Sequence, residues 1–169
     1  PGTDEWECLI THGSVIRAVI DYVYLAIMGK GTIVVGDAPQ EDSYIEKIKE
    51  RIGIRDIQDF YHKKAGFDIQ FLDLRRRHLI SKDGVYVDNI ELPGDPLGYQ
   101  HIDLGKQSWF REHDALGKTY YGASYDIEET NRHHGNGVHE YSISRSVLSA
   151  DVIISIPKMK THKKVGVTM

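Results

Sequence analysis

The sequence is poor in cysteine and lacks long apolar runs, and both shortages exclude classes of protein. Cys8 is the single cysteine, so the chain alone cannot form an intramolecular disulfide or a cysteine-based zinc or iron–sulfur site. A lone thiol favours a reducing, cytoplasmic setting. No apolar run approaches the roughly 20 residues that span a bilayer, and the first residues carry no basic signal region. We therefore expect a soluble cytoplasmic protein with no membrane partner.

The motifs of several large enzyme classes are missing as well. The chain contains no Gly-x-Gly-x-x-Gly, no complete Walker motif, no Gly-x-Ser-x-Gly and no His-Glu-x-x-His. Those motifs carry dinucleotide binding, phosphate cradling, serine hydrolysis and zinc hydrolysis, respectively. The sequence therefore argues against these four activities where they depend on these motifs.

Charge is nearly balanced over the whole chain but not along it. The 169 residues include 21 basic and 25 acidic side chains, a formal net charge of −4, which argues against a general binder of nucleic acid. Residues 151–169 nevertheless hold four lysines against one aspartate. This concentration of positive charge predicts an anionic small molecule as the partner.

Alternating helical and strand patterns predict an α/β fold with a mostly parallel core sheet flanked by helices. Apolar residues recur at helical spacing over 14–28, followed by a β-branched run at 32–35, a second helical stretch over 45–65 and a strand over 67–72. Helix–strand alternation of this kind is typical of parallel sheets. We expect one domain over 1–169 containing a β-rich insertion at 77–125, in which Asp83-Gly84 signals a hairpin turn. Residues 151–156 form the last predicted strand.

Two predicted strand ends carry polar residues suited to ligand binding. Ligands of open α/β sheets collect beyond the carboxyl ends of the strands, and Asp37 follows the first strand there. The last predicted strand leads into Lys158, Lys160, Thr161, His162 and Lys163. Clustered lysines repel one another unless an anion binds among them, so Lys158, Lys160, Thr161 and Lys163 are the predicted ligand-binding residues. If chemistry occurs, Asp37 and His162 are the predicted acid–base pair. Lysine-rich segments are also often plain surface loops.

Two other functions stay open at this point. His133, His134 and His139 lie within seven residues and, with Asp37, would supply nitrogen and oxygen ligands for a transition metal; a histidine-containing surface loop is the plainer interpretation. Alternatively the basic segment, residues 158–164, contacts an acidic protein surface, which would make this a non-catalytic interaction protein. The oligomeric state, any cofactor and the substrate are not indicated by the sequence.

The basic segment resembles the signature of the domain-of-unknown-function family 362. The resemblance rests on the run from Asp151 through Pro157-Lys158-Met159-Lys160-Thr161-His162 to Thr168, and on matching upstream segments in the same order: Thr11-His12, Gly36-Asp37-Ala38-Pro39, Gly53-Ile54-Arg55-Asp56, Phe60-Tyr61, Asp73-Leu74-Arg75-Arg76 and His139-Glu140-Tyr141. The chain looks most like members whose genes lie among polysaccharide-biosynthesis genes. The family's activity is not established, so the resemblance implies a fold and a site more than a reaction.

Two departures from the family pattern matter. Many such members have Gly-Cys shortly after Gly-Asp-Ala-Pro, whereas this chain has Asp42-Ser43, which puts a thiol-based role there in doubt. Members also usually continue well past the position of Met169. We therefore expect an N-terminal fragment of a longer protein.

Overall fold

The chain forms two compact units. The computed structural model describes residues 8–112, 120, 127–162 and 166–168, without the side chains of His162 and Thr168. The first unit comprises the described residues up to Arg75 together with those from Val152 onward. The second unit comprises the described residues of Arg76–Asp151. The predicted insertion, 77–125, lies within the range of the second unit.

The first unit combines helices with a parallel strand pair. Its elements in chain order are α1 (Gly13–Ala26), β1 (Ile33–Asp37), α2 (Ile45–Ile52), α3 (Ile54–Ala65), β2 (Ile69–Asp73), β8 (Lys160–His162) and β9 (Gly166–Thr168). The helices α2 and α3 connect β1 to β2, which pair in parallel with Ile33 opposite Ile69 and Asp37 opposite Asp73. Strands β8 and β9 form an antiparallel pair.

Periodic isoleucines build the core of the first unit. Ile16 and Ile20 of α1 lie one turn apart on the same helix face, and both are buried. They join a cluster with Ile52, Ile54, Ile57, Tyr61 and Phe67 and the first residues of the two strands, Ile33 and Ile69. Gly53 separates α2 from α3 in the left-handed conformation (φ 64°), which a residue with a Cβ adopts only at a cost. The apolar spacing therefore fixes how the helices cover the strands.

The beginning of α1 is capped differently from the usual serine pattern. His12 is the N-cap, and its side chain accepts a hydrogen bond from the backbone N–H of Ser14. Gly13 lies so close to α2 that a Cβ there would be 1.9 Å from the carbonyl oxygen of Ile52. Only glycine permits this approach of α1 to the end of α2.

The second unit is built mainly from antiparallel strands. Its elements are β3 (Arg77–Lys82), β4 (Val85–Glu91), β5 (Tyr99–Asp103), a 3₁₀ turn (Gly105–Gln107), α4 (Ile127–His133), β6 (His134–Gly135), β7 (Val138–Ser144) and α5 (Arg145–Leu148). β3 and β4 form the predicted hairpin; its turn residues Asp83 and Gly84 both have positive φ, as a type I′ turn requires. β7 pairs with β5 on one side and β6 on the other.

The α/β class is confirmed, but the mostly parallel core sheet is wrong for the described residues. There β1 and β2 form the parallel pair and the sheets are otherwise antiparallel. Helices connect β1 to β2, whereas tight turns connect β3 to β4 and β6 to β7. The predicted strand at 151–156 is irregular backbone, and Val152, Ile153 and Ile154 are exposed. A β-branched run becomes a strand only where another strand offers backbone partners. No helix within the described ranges is long and apolar enough to cross a bilayer.

Candidate functional site

Two aspartates end the parallel strands of the first unit side by side. Asp37 and Asp73 are register partners at the carboxyl ends of β1 and β2. Asp37 is exposed, but the protein atoms near its carboxyl group remove part of its hydration and raise its pKa, and the neighbouring charge of Asp73 raises it further. Burial also acts against ionisation of Asp73, but hydrogen bonds and charge from Arg75 outweigh it and lower the pKa of Asp73. The two carboxyl groups therefore differ in their tendency to hold a proton.

Arg75 is a buried residue that holds this sheet edge together. Its Nε and Nη2 atoms donate to the two carboxylate oxygens of Asp73 at 3.0 and 2.7 Å. Its Nη1 atom donates to the carbonyl oxygens of Gln40, Glu41 and Ser43, the last at 2.7 Å. Arg75 therefore ties the end of β2 to the loop that follows β1, and thereby fixes the surroundings of Asp37.

The basic segment borders an open pocket in the same unit. The pocket has a volume of about 490 Å³ and is lined by Cys8, Lys158, Met159, Lys160 and Thr161. Three of the predicted ligand-binding residues, Lys158, Lys160 and Thr161, therefore lie around one space.

Hydrogen bonds attach the basic segment to the residues that precede α1. The Thr11 hydroxyl donates to the carbonyl oxygen of Ile156 at 2.8 Å. The ammonium group of Lys160 donates to the carbonyl oxygen of Leu9 at 3.1 Å. The segment is not a loop throughout, because Lys160–His162 forms β8. These contacts give the pocket a defined wall.

Lys160 also acts on the carboxyl group of Asp37. Its positive charge lowers the pKa of Asp37, against the larger opposing effects of desolvation and of Asp73. The charge of Lys160 is thus felt at the carboxyl end of β1. Lys163 and the side chain of His162, the other predicted residues of this site, lie outside the described part of the chain.

The three histidines of the metal alternative lie in the second unit. The ring centroids of His134 and His139 are 6.0 Å apart, and His139 is fully buried with neither ring nitrogen hydrogen-bonded to a described residue. Burial lowers the pKa of His134, with smaller contributions from the charges of His139 and His133. Among the described residues, no group of three or more His, Cys, Asp or Glu side chains is placed to hold a metal ion. A metal site with Asp37 stays a prediction.

Sequence reasoning missed Asp73, Arg75 and Glu140. Asp73 could have been found, because it stands at the end of the second predicted strand just as Asp37 stands at the end of the first. Arg75 has no local signal of burial, since arginine is rarely buried without a partner. Glu140 accepts from His133, a contact created by the β6–β7 turn at Asn136 and Gly137. An Asn-Gly pair is a known hairpin signal.

The comparisons with known proteins give one match, which covers part of the chain. The model of the family described as Domain of unknown function (DUF362) matches residues 105–169. This range includes the basic segment, whereas Asp37 and Asp73 lie upstream of the match. No curated protein and no solved structure matches.

Proposed function

The model of the family described as Domain of unknown function (DUF362), a family without an established activity, matches residues 105–169, and we propose a function from the geometry of the first unit. The pocket lined by Lys158, Lys160 and Thr161 binds a phosphorylated or carboxylated small molecule. The observation that carries this proposal is that two lysines and a threonine line one open pocket. These are donors and point charges suited to an oxyanion.

The charges around the pocket favour an anion as its occupant. A unit negative charge about 4 Å from an ammonium group gains roughly 4 kcal/mol at the effective dielectric near a protein surface. Solvent screening and side-chain ordering reduce each exposed contact to about 1 kcal/mol or less. The ammonium group of Lys160 already donates to the carbonyl of Leu9, so part of its ordering cost is met before binding. Thr161 adds a hydroxyl donor.

Asp37 is the proposed acid–base group of this site. Because the pKa of Asp37 is raised, its carboxyl group holds a proton more readily than that of an ordinary aspartate. Arg75 keeps Asp73 ionised. Enzymes commonly shift the pKa values of two neighbouring carboxyl groups apart, so that one group acts as an acid and the other stays ionised. His162, which follows Thr161, is the proposed second proton carrier. Binding is the proposed function, and catalysis would use these two residues.

Ligand-induced thermal stabilisation tests the binding. Phosphorylated sugars and small carboxylates are screened for an increase in Tm of the wild-type protein, and the hits are measured on Lys158→Ala/Lys160→Ala. Lys30→Ala/Lys64→Ala is the matched control, because it removes the same charge from two exposed lysines of the same unit that lie outside the pocket. The proposal predicts stabilisation in the wild type and control but not in the pocket variant. Equal stabilisation of all three proteins would refute it.

A further inference from the structure

The second unit contains a cavity that the proposed function does not use. Its volume is about 180 Å³. The wall includes Arg76, Arg77, His101, Glu129, His133 and Glu140. The cavity is smaller than the roughly 300 Å³ at which pockets for drug-sized ligands begin, so it suits a small polar ligand.

A carboxylate and an imidazole form an oriented pair in this wall. The Nδ1 atom of His133 lies 2.5 Å from Oε2 of Glu140. An ionised carboxylate only accepts, so the Nδ1 atom carries the proton and the Nε2 atom of neutral His133 carries a lone pair. No described residue hydrogen-bonds that Nε2 atom. His101 stacks on His133 with ring centroids 6.4 Å apart, and its Nδ1 atom is 3.9 Å from the other oxygen of Glu140.

The wall holds two arginines and two glutamates, which differ in how they are paired. Arg77 forms an ion pair with Glu129, with both terminal nitrogens 3.3 Å from the same carboxylate oxygen. Arg76 is exposed and its guanidinium group lies 5.8 Å from the ring centroid of Tyr99. Within the described part of the chain Arg76 has no carboxylate partner. The cavity therefore combines an oriented base with a guanidinium group that forms no ion pair with a described residue.

We propose that this cavity is a second ligand site, in which Arg76 anchors the oxyanion group of a small substrate and His133 accepts a proton from it. The O–H bond of a substrate hydroxyl breaks, an N–H bond forms at Nε2 of His133, and the electron pair stays on the oxygen. The carboxylate of Glu140 offsets the positive charge of the imidazolium group. His133 is the catalytic residue of this site and Glu140 is its positioning residue.

Histidine modification by diethyl pyrocarbonate, mapped by peptide mass spectrometry, tests the site with inorganic phosphate as the probe. The reagent attacks an unprotonated imidazole nitrogen, so the open Nε2 atom of His133 reacts. Phosphate held by Arg76 slows that reaction about tenfold near 90% occupancy, because only the free fraction reacts. His62 is the matched internal control, since its Nδ1 atom lies 2.8 Å from Asp68 in an exposed pair that lines neither described pocket. Phosphate leaves its rate unchanged.

Variants separate this proposal from its rivals. Arg76→Ala abolishes the protection of His133, whereas Lys158→Ala/Lys160→Ala keeps it. Glu140→Gln slows the modification of His133, and Asp68→Asn likewise slows the modification of His62. Phosphate protects His133 of the first pair but does not protect His62 of the second. The proposal is overturned if phosphate does not protect wild-type His133, or if protection survives Arg76→Ala. Loss of protection in the double-lysine variant would assign the phosphate to the other pocket and also overturn it. The wild-type measurement requires no variant to fold.

Discussion

Replacement of Arg75 by alanine is expected to destabilise the first unit more than any change to an exposed arginine. The substitution removes two charge-assisted hydrogen bonds to Asp73 and the donors to three carbonyl oxygens. Side-chain exposure is 5% for Arg75 and 20% for Asp73, so the carboxylate is left largely desolvated and without its counter-charge. Removal of one partner from a buried pair costs about 3–5 kcal/mol. The residual exposure of Asp73 places the expected loss near the lower figure.

Urea unfolding at pH 7 provides the assay, and a double-mutant cycle isolates the pair. Asp73→Asn alone leaves Arg75 with its carbonyl partners, and the double variant Asp73→Asn/Arg75→Ala avoids the unpaired carboxylate. The double variant should therefore lose at least about 1 kcal/mol less than the sum of the single losses. Arg55→Ala is the control, because Arg55 forms an exposed ion pair with Glu46 in the same unit and should cost about 1 kcal/mol or less.

Two results would refute this account of the sheet edge. One is a loss for Arg75→Ala no larger than that for Arg55→Ala. The other is strict additivity in the cycle, which would mean that the Arg75–Asp73 contact contributes no coupling energy. A change in the denaturant slope m would instead report a change in the surface exposed on unfolding. The urea midpoints are therefore compared only between proteins with the same m.

Further predictions concern packing and pH. Gly13→Ala should lower the free energy of unfolding by at least about 2 kcal/mol despite the better helix propensity of alanine, because the new Cβ would overlap the carbonyl of Ile52; an unchanged urea midpoint would contradict the close approach. Asp37→Asn should slightly stabilise the protein at pH 7, by about 0.5 kcal/mol or less after solvent screening, because the folded state raises the pKa of Asp37; destabilisation would contradict that direction. Hydrogen bonds from Ser144 and Ser146 outweigh burial and lower the pKa of Asp95. The contribution of Asp95 to the stability of the folded state is therefore complete above the unfolded pKa of about 3.9 and is lost as the pH falls towards the pKa in the folded state. The difference in stability between wild type and Asp95→Asn should thus shrink from pH 7 to pH 3 in urea titrations, and a constant difference would argue against it.

The local features of the fold could be predicted from sequence, because their causes are local. Helical apolar spacing predicts α1, and Asp83-Gly84 predicts the β3–β4 hairpin, since both depend on neighbouring residues. The run at 151–156 has the composition of a strand, but a strand also needs backbone partners that lie elsewhere in the chain. Composition alone therefore could not determine its structure.

The candidate site likewise combines features that the local sequence predicts with features that depend on distant residues. Lys158, Lys160 and Thr161 were predicted together because they are adjacent in sequence, and they do line one pocket. The burial of Arg75 depends on carbonyl groups more than thirty residues away, for which the sequence carries no local signal. The contact between His133 and Glu140 was predictable in principle from the Asn136-Gly137 turn. Its position in a cavity with Arg76 depends on tertiary packing.

An NMR titration with inorganic phosphate at constant ionic strength tests the central claim most directly. The account predicts that backbone amide resonances of Lys158, Lys160 and Thr161 shift with a common, saturable dissociation constant. Those of Lys30 and Lys64 should stay in place, and Lys158→Ala/Lys160→Ala should abolish the response of Thr161. Unchanged resonances of the basic segment at saturating phosphate, or equal shifts at Lys30 and Lys64, would contradict an oxyanion site at this pocket.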